Sequence, residues 1–173
     1  MLKKIYTSSF SSPLGEIHIG ATDKGLCLLE FGVPERIEQH FNQFNKYWEV
    51  VQSDQKCGLL DEAENQLHAY FRKDLQRFNL PFDLVGTDFQ LNVWNELLQI
   101  PYGRTRSYKE QAIALGNLKA IRAVATANGQ NRIAIIIPCH RVIGSDGSLV
   151  GFGGELWRKK ALLDLESSQG ALF

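Results

Sequence analysis

An α/β protein of the α+β kind is predicted, with an N-terminal antiparallel-sheet domain that carries helices and a mainly helical C-terminal domain that contains a helix-turn-helix. Three observations predict it. Residues 5–31 carry short apolar stretches between turn signals, which is hairpin material. Residues 87–128 break into short segments with three-to-four apolar spacing, opened by capping residues and closed by Gly or Asn. Between the two, Leu80-Pro81-Phe82-Asp83-Leu84-Val85-Gly86 is extended and leads out of the first domain, which sets the predicted domains at 1–85 and 86–173.

In the first half, Ile17-His18-Ile19 alternates around a polar residue, Ser12-Pro13-Leu14-Gly15 and Asp23-Lys24-Gly25 supply turns, and Leu26-Cys27-Leu28-Leu29 is a short apolar run. Glu35 to Phe44 reads as helix. So does Leu59 to Phe78, where Leu60, Ala63, Leu67, Tyr70, Phe71 and Leu75 form one apolar stripe. In the second half, Thr87-Asp88-Phe89-Gln90 has capping-box spacing and opens a helix with Phe89, Val93, Trp94 and Leu97 on one face, ended by Pro101-Tyr102-Gly103. Ser107-Tyr108-Lys109-Glu110 is a second capping box. Its helix stops at Gly116-Asn117, and a further helix runs from Leu118 to Asn128. Two short helices around a Gly-containing turn form the helix-turn-helix pattern.

With 44% hydrophobic and 22% charged residues in 173, the chain has ample material for a folded core. The N-terminus lacks the apolar segment of a secretory signal and no apolar run reaches membrane-spanning length, so a cytoplasmic location without membrane contact is expected. Cys27, Cys57 and Cys139 are an odd set without paired spacing, and His18, His40 and His68 complete no ligand cluster. No disulfide framework, metal or cofactor is expected. Residues 1–85 hold 9 Lys and Arg against 12 Asp and Glu, while residues 86–173 hold 10 against 7. The basic second half suits a polyanionic partner, although an imbalance of this size also arises by chance.

The chemistry concentrates where Ile133-Ala134-Ile135-Ile136-Ile137, which has the composition of a buried strand, runs into Pro138-Cys139-His140-Arg141. A buried cysteine is ordinarily a small inert hydrophobe. A nucleophilic one needs its thiolate, and since a free thiol titrates at about 8.5, a base or a positive field must help. His140 is adjacent in sequence, yet neighbours on an extended chain point in opposite directions, so proton transfer between them needs a turn or a bridging water. A carboxylate from elsewhere is needed to orient the imidazole. Farther on, Val150-Gly151-Phe152-Gly153-Gly154 suits a loop that leaves room for a flat ligand, with a flexible connector as the alternative. Glu166 ends the last predicted helix, where the helix dipole disfavours a carboxylate and a compensating partner is expected. In the 118–128 helix Ala120, Ala123, Val124, Ala125 and Ala127 are small, which permits close approach to a neighbouring helix or to a DNA groove, with Arg122 projecting.

Pro138-Cys139-His140-Arg141-Val142, preceded by Asn131 and followed by the glycine-rich loop and Glu166, resembles the O6-alkylguanine-DNA alkyltransferase family of direct-reversal repair proteins. The resemblance is continuous from Phe89 to Glu166 and includes Ile100-Pro101-Tyr102-Gly103, Ser107-Tyr108 and Arg122-Ala123-Val124. The N-terminal half, with Ser11-Ser12-Pro13-Leu14-Gly15, resembles the family's variable first domain more loosely.

The resemblance implies a single-turnover reaction that moves the alkyl group of O6-alkylguanine, with O4-alkylthymine an open second substrate, from duplex DNA to Cys139. It implies that 118–128 is the recognition helix, entering the minor groove beside Ala123, and that Arg122 fills the gap left by a flipped nucleotide. It makes Tyr108 a hydrogen-bond donor to guanine N3, gives the reading of the flipped base to backbone groups of Cys139, Val142 and Gly153, and places Phe152 in the base pocket. It also assigns a Glu166–His140–water–Cys139 relay and makes Asn131 the brace of the active-site turn. The partner implied is double-stranded DNA bearing alkylated bases. A monomer is expected, and cooperativity on DNA stays open.

Two departures stand out: Arg132 where many members have Pro, which loosens the turn and adds a cation for phosphate, and Phe152 where Tyr is common. A non-catalytic lesion binder and a helix-turn-helix regulator remain the alternatives. Neither requires Cys139, and the regulator leaves Glu166 without a task.

Overall fold

The computed structural model describes residues 2–167; Met1 and residues 168–173, the outermost positions of the two predicted domains, lie outside the described residues. The chain forms two compact units, Met1–Val85 and Gly86–Phe173.

The first unit runs β1 (Leu2–Ser12), β2 (Gly15–Ala21), β3 (Leu26–Phe31), α1 (Pro34–Phe44), β4 (Glu49–Ser53) and α2 (Gly58–Phe71), with sheet order β3-β2-β1-β4. The predicted hairpin closes on the pair Ser12 and Gly15, where Gly15 takes φ 109°, a value that favours glycine. β1, β2 and β3 are antiparallel. β4 adds a parallel edge strand with Leu2 opposite Glu49, and α1 lies in the crossover that a parallel partner requires. Only Val50 and Val51 in β4 are apolar, so no alternation announces it.

Successive strand residues face opposite ways, and β1 uses both faces. Ile5 joins Cys27, Leu28, Phe44 and Val85 in one cluster, while Phe10 meets the His68 ring of α2 edge-on at 5.1 Å. Burial pushes the Cys27 thiol up to about 12, which makes it unreactive at neutral pH. α2 is shorter than its apolar stripe: it stops at Phe71 because Lys73 turns to φ 65° and the chain closes a Schellman motif, with Asp74 N–H on Ala69 O at 2.9 Å and Lys73 N–H on Tyr70 O at 3.0 Å.

The second unit holds α3 (Asp88–Leu97), β5 (Arg106–Ser107), α4 (Tyr108–Ala114), α5 (Ile121–Gly129), β6 (Val142–Ile143) and α6 (Leu156–Glu166). Both capping boxes form as their spacing predicts, Thr87 with Gln90 and Ser107 with Glu110. Val93, Trp94 and Leu97 are fully buried, whereas Phe89 in the first turn of α3 is 40% exposed and leaves the predicted face. α4 and α5 are the two helices of the helix-turn-helix, separated by Gly116 at φ 78°. The predicted 118–128 helix begins as a 3-10 turn over Leu118–Ala120, capped by Asn117 Oδ1, before α5 proper. Gln111 and Asn128 exchange two hydrogen bonds in the interior, 3.0 and 2.7 Å, and tie α4 to α5.

The apolar run 133–137 is not a strand. Ile135 takes φ 69°, Ile137 N–H closes back on Ile133 O at 3.1 Å, and Asn131 bonds Ile133 N–H and Ile137 O, groups that a ladder would otherwise need. The run is wholly buried and folded on itself, which explains an apolar composition without strand geometry.

Candidate active site around Cys139

Cys139 opens a 3-10 turn, Cys139–Arg141, and is 7% exposed. Asn131 Nδ2 donates to Cys139 Sγ at 3.2 Å and to Ile137 O at 2.8 Å, while its Oδ1 accepts from Ile133 N–H at 3.0 Å. One carboxamide therefore both folds the apolar run and presents an N–H to the sulfur. A donor at that distance favours the thiolate over the thiol.

His140 is fully buried, and its Nε2 lies 2.8 Å from Glu166 Oε1. Arg141 grips the same carboxylate through Nε at 2.8 Å and Nη2 at 2.9 Å, and spends Nη1 on Ile100 O at 2.7 Å. Burial opposes charge on Glu166, but the hydrogen bonds of His140 and Arg141 override it and hold the carboxyl far below its ordinary range. Burial also lowers the His140 pKa against the pull of Glu166, so the imidazole is neutral. The tautomer follows. An ionised carboxylate only accepts, so Nε2 carries the proton and Nδ1 holds a lone pair. His140 Nδ1 is buried and has no hydrogen-bond partner. The compensating partners expected for a carboxylate at a helix C-terminus are thus His140 and Arg141.

Tyr108, at the start of α4, is 8% exposed and donates its hydroxyl to Val150 O at 2.9 Å. Lys159 of α6 is fully buried, with Nζ 2.8 Å from Val150 O and 3.4 Å from the Tyr108 oxygen. Burial pulls the Lys159 pKa down to about 8, and burial with the nearby Cys139 raises that of Tyr108 to about 12. Sequence reasoning missed Lys159. The signal available was its place seven residues before Glu166, two helical turns away along one face.

Val142 is buried in β6 opposite Arg106, and Phe152 and Gly153 are half-buried. On α5, Val124, Ala127 and Asn128 face inward while Arg122, Ala123 and Thr126 are exposed. Cys139, His140, Glu166 and Asn131 thus share one bonded cluster or the turn beside it, and Arg122 and Ala123 lie on the exposed side of α5. Arg132 departs from expectation. It is 2% exposed, with its guanidinium 5.2 Å from the centre of the Trp94 ring, and is no surface cation for phosphate.

A helix-turn-helix followed by a hydrogen-bonded thiol next to a His–Glu pair defines a class: a helix-turn-helix fold that carries a built thiol site. The particular family comes from comparison with known proteins. Residues 88–168 match the model of the 6-O-methylguanine DNA methyltransferase DNA-binding domain, and residues 5–84 match that family's ribonuclease-like domain. The chain is 44% identical over 165 residues to the methylated-DNA–protein-cysteine methyltransferase of Mycobacterium bovis, covering 95% of this chain and 94% of that one. It is also 44% identical over 167 residues to the protein of that name from Methanosarcina barkeri, covering 95% and 98%. The crystal structure of Mycobacterium tuberculosis O6-methylguanine methyltransferase superposes with a TM-score of 0.77 at 43% identity, covering 95% of this chain and 93% of that one. A crystal structure of the M. tuberculosis protein in complex with DNA gives 0.77 at 42%, covering 96% and 94%. The chain belongs to the 6-O-methylguanine DNA methyltransferase family.

Proposed function

We propose that this protein repairs DNA by direct reversal, taking the alkyl group of O6-alkylguanine out of duplex DNA onto Cys139 and being consumed in the act. The observation that carries the assignment of roles is the unpartnered Nδ1 of a neutral, buried His140 whose other nitrogen is fixed by Glu166, one residue from a thiol that Asn131 already bonds. The Cys139 proton passes through a bridging water to Nδ1, and the sulfur then attacks the alkyl carbon. The S–C bond forms as the O6–C bond breaks, and the electron pair stays on the guanine. A proton supplied through Tyr108, with the Lys159 ammonium at its oxygen, neutralises the ring at N3. A thioether has no easy hydrolytic exit, which supports one turnover per molecule.

Docking falls to α5. Its exposed Ala123 allows close approach to a groove, and the likewise exposed Arg122 fills the gap when the base leaves the stack, a step that costs a few kcal/mol. Backbone groups of Cys139, Val142 and Gly153 read the base beside Phe152. The first unit, 1–85, supports the second. Action as a monomer is part of the proposal, because every named group lies in one unit of one chain, and so is a cytoplasmic location, where substrate DNA is met. No helix among the described residues is long and apolar enough to cross a membrane.

Mass spectrometry after incubation with duplex DNA containing O6-methylguanine tests this directly. One methyl group on Cys139 is expected, with none on the Cys139→Ser protein, which still binds the DNA. Transfer persisting in that variant, or mapping to Cys27 or Cys57, overturns the assignment.

A further inference from the structure

Arg132 takes no part in the chemistry above, yet it is 2% exposed. A buried cation needs compensation. Its guanidinium lies 5.2 Å from the centre of the Trp94 ring, within the range at which an aromatic face attracts a cation. Trp94 is wholly buried on α3 and donates Nε1–H to Ala127 O at 2.9 Å, near the C-terminal end of α5. The residue before Arg132 is Asn131, which bonds Cys139 Sγ at 3.2 Å, Ile137 O at 2.8 Å and Ile133 N–H at 3.0 Å. Two consecutive residues are therefore anchored in different directions: Asn131 on the thiol turn, and Arg132 on the indole that also holds the recognition helix.

We infer that Arg132 is a positioning residue for the acceptor thiol: stacked on Trp94, it fixes the backbone at 131–132 and so aims the Asn131 carboxamide at Cys139. The role rests on the reading of Cys139 as alkyl acceptor. A hydrogen bond weakens steeply as its angle closes, so a small rotation at residue 131 withdraws the donor from the sulfur. The planar, weakly hydrated guanidinium suits a buried aromatic face better than an ammonium does. The position that would be a loosened turn in sequence terms is instead held by side-chain contact.

The test compares Arg132→Met and Arg132→Lys with the parent full-length protein. Single-turnover transfer is followed from duplex O6-methylguanine DNA and from a free O6-alkylated guanine base across neutral and alkaline pH, alongside DNA affinity and thermal stability. Arg132→Met is expected to slow transfer near neutral pH about tenfold on both substrates, the loss produced by misaligning one hydrogen bond to a charged group. Raising the pH restores part of the rate, Arg132→Lys recovers part of the loss, and DNA affinity stays unchanged. A folded Arg132→Met protein with the parent rate and pH profile overturns the inference, as does a loss confined to duplex substrate with weakened DNA binding. Should Arg132→Met fail to fold, Arg132→Lys and Trp94→Phe loosen the same stack, and parental pH profiles in both overturn it equally. Absence of any adduct on Cys139 in the parent protein overturns the acceptor reading itself. A normal adduct with insensitive Arg132 variants overturns only the positioning role.

Discussion

Glu166 sits between a neutral imidazole and a permanent cation, and that position fixes what its loss must do. Glu166→Gln puts an amide, which can donate as well as accept, where an acceptor-only carboxylate sets the His140 tautomer, and it leaves Arg141 buried without its counter-charge. Breaking a buried pair from one side costs about 3–5 kcal/mol, so a clear fall in unfolding free energy is expected, well beyond a helix-end effect. Transfer near neutral pH should slow as well and recover in part at higher pH, where thiolate forms unaided; thiol titration with single-turnover rates checks this. An unaltered pH profile in a folded variant removes Glu166 from the mechanism. Lys159 makes a second test. Its pKa falls from 10.5 to about 8 in the fold, so the unfolded chain binds the extra proton between those values and the Lys159 contribution to stability improves as pH rises through that window. Lys159→Met should therefore be most stabilised relative to the parent below pH 8, with the difference shrinking toward pH 10.5, as denaturation at several pH values would reveal.

At the level of elements, the helix-turn-helix depends on one polar contact in an apolar setting. Gln111 and Asn128 satisfy each other across α4 and α5, and both are buried. Asn128→Ala strands the Gln111 amide and is expected to cost about 1–3 kcal/mol in chemical denaturation, with DNA affinity falling in step because α5 loses its seat. The outer side of α5 behaves differently. Arg122 is exposed, so Arg122→Ala should leave stability within about 0.5 kcal/mol. Repair in duplex DNA should nevertheless fall much further than reaction with free alkylated base, since a side chain inserted into the stack matters only when a stack must open. Equal losses on both substrates would assign Arg122 to the pocket or the fold.

Over the whole molecule, the zero net charge divides into an acidic first unit and a basic second one. The first unit buries its own charge cluster: Glu30, 1% exposed, accepts from Arg36 Nε at 3.0 Å and His40 Nε2 at 2.9 Å. Burial opposes the Glu30 charge, but His40 and Arg36 prevail and its pKa lies below the ordinary 4.5. A carboxylate with a depressed folded pKa stabilises the protein above the unfolded value and loses that contribution as pH falls through the folded one. Acid should therefore weaken the first unit below about pH 4.5. The Glu30→Gln protein should show a shallower dependence of melting temperature on pH in that range, on a lower plateau near neutrality.

The sequence by itself determined both capping boxes, the helix-turn-helix and, through an ordered motif set, the family, and it singled out Cys139 as the candidate acceptor. These are local: a capping box or a Pro-Cys-His-Arg run is written in adjacent residues, and its physics acts over one turn of chain. Tertiary structure decided the rest. β4 is a strand because β1 offers it an edge, α2 ends where a Schellman turn closes, and Ile133–Ile137 folds on itself because Asn131 takes its backbone groups. Lys159 became part of the site only when α6 brought it to Tyr108, and Arg132 became a buried stack rather than a surface cation only when α3 supplied Trp94. Apolar composition marks a segment for burial without specifying its path, and the charge state of a buried group is set by neighbours distant in sequence.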